Sequence, residues 1–147
     1  MTVIEGTIDI DAPVPRVWAI VSDPRNLPLW DHRVLKVADF PDGGLRAGSL
    51  YRVQMGFMGA RAWVPATVLE LDPGKCSRIH LGGLVDAVIE TKVAPLNSGG
   101  TRLTHRIEYR FMGGPLGSIA AGAVRHMGAP MLLRHGMQAQ KRQAEAG

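Results

Sequence analysis

A chain of 147 residues, 46% apolar and 20% charged, is long enough to bury its own core as one domain without covalent staples. Its single cysteine, Cys76, excludes an intramolecular disulfide and a multi-cysteine zinc site. The net charge of +4 comes from 13 arginines and 4 lysines against 13 acids, spread from Arg16 to Arg142, so a solvated surface is expected rather than a nucleic-acid partner.

The opening Met1-Thr-Val-Ile-Glu-Gly has no basic stretch leading into an apolar core. The uncharged run Gly113 to Val124 is too short and too glycine-rich to cross a bilayer. A cytoplasmic location without membrane insertion is expected. Residues 3–11 alternate, with Ile4, Ile8 and Ile10 on one face, and predict a strand buried on one side. Pro13 and Pro15 then suit a first helical turn that Asp11 can cap, and Val14, Val17, Trp18 and Val21 fall at helical spacing. Ser22-Asp23-Pro24 stops this helix and starts a second one ending near Trp30.

From Val34 to Phe111 the turn signals Pro41–Gly44, Phe57–Gly59, Asp72–Gly74, Gly82-Gly83 and Asn97–Gly100 punctuate an antiparallel meander of about six strands. The final strand is the clearest. Leu103, His105, Ile107, Tyr109 and Phe111 share its apolar face, opposite Arg102, Thr104, Arg106, Glu108 and Arg110. Ala87, Ile89, Thr91 and Val93 form the apolar face of the strand before it. Residues 60–71 carry bulk on both faces, Val64 and Val68 against Trp63 and Leu69. Beyond Gly113–Gly117 a long helix gathers Leu116, Ile119, Ala120, Ala123, Val124, Met127, Pro130, Met131 and Met137 on one face. Pro130 is expected to kink it, and the polar tail from Gln138 to fray.

This order describes an α+β chain: a strongly bent antiparallel sheet of about seven strands wrapped around one amphipathic C-terminal helix, with two short helices after the first strand. The segments Ile8-Asp-Ile-Asp-Ala-Pro-Val-Pro-Arg-Val-Trp18, Val21-Ser-Asp-Pro24 and Leu27-Pro-Leu-Trp30 resemble the opening of the START-like helix-grip superfamily. Within it, the polyketide cyclase/dehydrase and lipid-transport group is the nearest match. Asp72-Pro-Gly74 and Gly100-Thr-Arg-Leu-Thr104 are similar to that group's later landmarks. The resemblance implies a hydrophobic cavity between sheet and long helix, and relatives that cyclise polyketides, carry lipids or quinones, or bind proteins. Fold alone does not choose among these.

No G-x-S-x-G elbow, phosphate loop, G-x-G-x-x-G or H-E-x-x-H motif is present. The five histidines show no ligand spacing, and His126 and His135 point to opposite sides of a helix, so neither metal nor cofactor is expected. His105, on an apolar strand face, reads either as a proton-moving cavity residue or as a core histidine satisfied by a neighbour. Tyr109 shares that face but lies about 13 Å further along the strand. These two are the candidate catalytic residues. Candidate ligand contacts are Trp30, Tyr51, Met55, Trp63, Ile89, Ile107, Met127, Met131 and Arg134: flat aromatic walls, adaptable thioethers and one cation at the edge. The expected partner is a small hydrophobic molecule, bound by a monomer or homodimer. Cyclisation or dehydration of a polyketide-type substrate leads. A non-catalytic carrier or sensor of lipid or quinone competes with it, and an interaction module with a collapsed interior is the third reading.

Overall fold

The computed structural model describes residues 2–57, 59–83, 85–111 and 129–146. Strand β1 (Thr2–Ile10) leads into helix α1 (Val14–Val21), a 3₁₀ turn (Pro24–Asn26) and the one-turn helix α2 (Leu27–Trp30). Six strands follow: β2 (Val34–Ala38), β3 (Leu50–Phe57), β4 (Ala60–Asp72), β5 (Cys76–Leu81), β6 (Val85–Pro95) and β7 (Thr101–Phe111). Helix α3 (Ala129–Glu145) closes the described chain. The strands form one antiparallel sheet in the order β1-β7-β6-β5-β4-β3-β2. Each meander neighbour pairs with the next, and β1 returns to close against β7.

The entry to α1 differs from the expectation. Asp11 does not cap the helix. Pro13 occupies the cap position without a side-chain bond, and the Asp11 backbone N–H instead donates to Glu145 Oε2 at 2.8 Å. Asp23 does cap the 3₁₀ turn, accepting from the Arg25 backbone N–H at 3.0 Å.

Strand β4 resolves its two-sided bulk through a bulge. Its pairing with β5 shifts between Val68 and Glu70, which leaves Leu69 outside the ladder and 45% exposed. Ala66 and Val68 therefore face inward before the bulge and Leu71 after it, while Trp63 faces out.

The tail of α3 is pinned rather than frayed. The Arg16 Nε donates to the Ala144 carbonyl at 2.6 Å, and Lys141 Nζ to the Asp9 carbonyl at 2.7 Å. Gln140 and Ala144 are buried. Leu133, Met137, Gln140 and Ala144 follow one another at helical spacing along the face toward β1. The expected methionine stripe does not hold here. Met131 and Met137 are six positions apart, about 240° around the axis after full turns are removed, so burying Met137 leaves Met131 70% exposed. The expected kink concerns the carbonyl of His126, and Met127 belongs to the same segment. Both lie outside the described residues.

The interior is divided. One packed cluster joins Ile10, Val17, Val93, Leu103, Met137 and Ala144. A second joins Val34, Tyr51, Val53, Ala66 and Val68 on the other half of the sheet. Among the described residues the two are separate.

Candidate functional site

Between these clusters lies a cavity of about 240 Å³. Its floor is the concave sheet face, its roof is α3, and α2 stands at one side. The antiparallel register arranges the floor in cross-strand rows. The central row is Ile79–Ile89–Ile107–Ile4, four isoleucines on β5, β6, β7 and β1. One row beyond it is polar: Ser77 pairs with Thr91, Thr91 with His105, and His105 with Gly6. Past that row the first packed cluster begins, so the polar row forms a blind end. Isoleucine and threonine suit the pleated surface, and alternation turns the charged residues between them outward.

Gly6 ends the polar row because α3 crosses there. A Cβ at this position would lie 2.8 Å from Met137 Sδ and 3.4 Å from a Leu133 methyl. The missing side chain lets the helix settle onto β1, which brings Gln140 down to His105. Gln140 Oε1 accepts from His105 Nε2 at 2.8 Å, and Thr91 Oγ1 donates to His105 Nδ1 at 2.9 Å. An amide oxygen can only accept, so the proton sits on Nε2. Burial holds the His105 pKa below its ordinary value, against the raising effect of Gln140, and the ring is neutral.

Three polar side chains lie on the cavity wall. Tyr51, Ser77 and Gln140 are each about 95% buried or more and line the cavity. Among the described residues, the Tyr51 hydroxyl, the Ser77 hydroxyl and the Gln140 amide N–H₂ make no side-chain hydrogen bond. With no partner among the described residues and with their side chains on the cavity wall, these groups are the polar atoms that the described lining offers a bound molecule. Burial also pushes the Tyr51 pKa up, which keeps its phenol protonated. At the rim, burial would raise the Asp31 pKa, but hydrogen bonds from Arg33, one at 2.7 Å, outweigh it and keep the carboxylate ionised.

The expected site residues divide. His105, Trp30, Tyr51, Met55, Ile89 and Ile107 line the cavity. Tyr109 does not; its ring packs edge-on against Phe111 at 5.7 Å. Trp63 lies on the convex face, flanked by Arg52 at 4.6 Å and Lys36 at 5.4 Å from its ring centre. Met131 and Arg134 are exposed on the far side of α3. Ser77 and Gln140 were not among the expected contacts. Alternation along 76–81 marks Ser77 as inward, and Gln140 falls one turn beyond Met137 once the helix is carried through the tail.

A curved antiparallel sheet gripping a C-terminal helix over an apolar cavity defines a START-like helix-grip protein. The sequence model of the polyketide cyclase/dehydrase and lipid transport family matches residues 1–145, and the chain belongs to that family. Solved structures share the fold. The Zhui aromatase/cyclase from Streptomyces sp. R1128 is 16% identical, with a TM-score of 0.72 over 99% of this chain and 98% of that one. A START superfamily protein from Mycobacterium smegmatis is 18% identical, with a TM-score of 0.69 over 98% and 97%. The protein TTHA0849 from Thermus thermophilus is 16% identical, with a TM-score of 0.76 over 99% and 98%. No curated protein sequence matches the chain. Among the described residues no helix is long and apolar enough to cross a membrane, and no cluster of metal-ligating side chains occurs.

Proposed function

We propose that the protein binds a small hydrophobic molecule in the cavity between sheet and α3, and acts as its carrier or sensor. One observation carries this reading: an apolar space of about 240 Å³ separates two packed clusters that ordinary folding would merge. Family membership supports it. The pairing of the titratable groups at the cavity favours carriage over chemistry: among the described residues Asp31 is held by Arg33. His105 spends both ring nitrogens on Thr91 and Gln140, and the Tyr51 phenol stays protonated.

A second reading, cyclisation or dehydration of a polyketide-type substrate, is favoured by the family's description and by the fold shared with the Zhui aromatase/cyclase. Gln140 would then have to release His105 Nε2–H, which would polarise a substrate carbonyl while the walls hold the reactive fold. Orientation supplies much of such a rate.

Thermal unfolding against a panel of quinones, aromatic polyketides, neutral lipids and fatty acids tests the binding. A ligand at about 100 times its Kd adds about 2.7 kcal/mol. No shift with any compound would point to the interaction module. Product analysis with a poly-carbonyl substrate separates the two readings. Turnover that His105→Ala abolishes, with binding retained, selects the cyclase; a ligand recovered unchanged selects the carrier.

A further inference from the structure

The blind end of the cavity gathers several polar side chains in one place, apart from the single Tyr51 hydroxyl on β3. Ser77 and Thr91 are direct cross-strand neighbours, with Cβ atoms about 5 Å apart. The Thr91 hydroxyl proton is committed to His105, and the Gln140 oxygen accepts from the same ring. Among the described residues, what is left to face the space is donor-rich: the Ser77 O–H and the Gln140 N–H₂. Every side chain in this polar group is uncharged, His105 included. A buried carboxylate or phosphate here would lose its hydration without a countercharge among the described residues. Asp31 at the rim adds a negative charge on the approach.

Size narrows the class further. A dry apolar cavity of about 150 Å³ holds benzene. The 240 Å³ found here is larger by about half, suited to one or two fused rings. The isoleucine row supplies the flat apolar bed beside the polar end.

We infer that the ligand is a compact, uncharged one- or two-ring molecule whose carbonyl or phenol oxygen sits at the blind end between Ser77 and Gln140. This rests on the ligand-binding reading above and gives it a chemical class. Ser77 is the specificity residue, because removing its hydroxyl takes away a donor and leaves the His105 network untouched.

Titration calorimetry near neutral pH tests it with naphthalene, 2-naphthol and 2-naphthoate, and with palmitate and cholesterol as large probes. Wild-type protein is expected to bind 2-naphthol about five- to tenfold more tightly than naphthalene. Naphthoate is expected to bind at least about a hundredfold more weakly than 2-naphthol. In Ser77→Ala the preference for 2-naphthol falls to within about twofold, while naphthalene affinity stays unchanged. A second readout is the infrared carbonyl stretch of bound 1-tetralone. It is expected below its hexane value in wild type and closer to that value in Ser77→Ala. Equal binding of naphthalene and 2-naphthol overturns the anchor and leaves the cavity reading intact. Naphthoate binding as tightly as 2-naphthol overturns the uncharged class. Binding of palmitate or cholesterol alone overturns the size class. Failure of every probe overturns this inference and the ligand-binding reading together.

Discussion

Gln140 Oε1 accepts a 2.8 Å hydrogen bond from His105 Nε2, across 35 residues of sequence, and so joins the last helix to the floor of the sheet. The bond uses the neutral tautomer of a buried ring. Protonation at Nδ1 would leave this bond in place and displace the Thr91 hydroxyl as donor instead.

The pH dependence of stability follows from that ring. The folded pKa of His105 lies below its ordinary value of 6.5 because burial disfavours the imidazolium. Between those two values the unfolded chain holds a proton that the folded chain excludes. Stability therefore falls as pH drops below about 6.5, by at most about 1.4 kcal/mol per pH unit, and levels off below the folded pKa. Thermal melts from pH 7 to 5 in wild type and His105→Asn isolate the effect, since every other histidine is common to both. The variant is expected to show the shallower slope. The lowered carboxylate pKa values of Asp9, Asp23, Asp31, Asp86 and Glu145 act in a lower window: their contribution is complete above about pH 4.5 and is lost as pH falls through the folded values.

Gly6 is expected to be intolerant of bulk. Its Cβ would meet the Met137 thioether at 2.8 Å, a flexible group that can move aside. Gly6→Ala should cost about 1 kcal/mol and Gly6→Val about 2–3 kcal/mol, read from urea midpoints. Because Gly6 seats α3, Gly6→Val should also speed hydrogen exchange at amides near Gln140. Unchanged exchange there would separate Gly6 from the seating of the helix.

The two tryptophans expected as ligand walls should behave oppositely. Trp30 lines the cavity, and its indole N–H donates to Gln143 Oε1 at 2.9 Å. Trp30→Phe should lose about 1 kcal/mol of stability with that bond, and its altered wall should weaken ligand binding several-fold. Trp63 stacks between two cations on the outside. Trp63→Ala should leave every affinity within about twofold and cost about 1 kcal/mol or less. Calorimetry on both variants with one ligand makes the comparison.

The convex face carries charges of alternating sign in one cross-strand row, Glu70–Arg78–Glu90–Arg106–Glu5. Its separations are wide, 3.9 Å from Arg78 to Glu90 and 3.8 Å from Arg106 to Glu5, and its members are exposed or half-buried. Glu90→Gln should therefore cost less than about 1 kcal/mol, while Glu90→Lys places like charges opposite Arg78 and Arg106 and should cost more. The gap between the two variants should narrow in 1 M salt, where the screening length falls to about 3 Å. A gap that persists would mean that packing, not charge, sets it.

The fold was readable because its evidence is periodic and local. Alternation along β1, β6 and β7 named the inward faces, and the Ser22-Asp23-Pro24 break marked the end of α1, with the expected second helix arriving as a 3₁₀ turn followed by α2. The ambiguity of β4 had a cause that period alone does not reveal: a bulge at Leu69 switches which residues face inward. Phase failed again on α3. A few polar residues after Met137 suggested a frayed tail, yet Gln140 and Gln143 are the residues that fasten it to His105 and Trp30.

The site divided along the same line. His105, Trp30, Tyr51, Met55, Ile89 and Ile107 were legible as inward-facing residues, because side-chain direction on a strand or short helix is a local property. Trp63, Tyr109, Met131 and Arg134 were not separable from them by residue type, since an aromatic or thioether suits a core, a wall or an exposed stack equally. The opening composition, 46% apolar in a chain of 147 residues, determined that a core would form. The sequence determined the order of elements and most of the faces they bury. Only the tertiary structure decided that the core of the described residues splits in two around a cavity, that Ser77, Thr91 and His105 stand side by side at its end, and that Gln140 reaches them. Those relationships depend on strand register and helix phase between segments far apart in the chain, and a shift of one residue in either would reverse them.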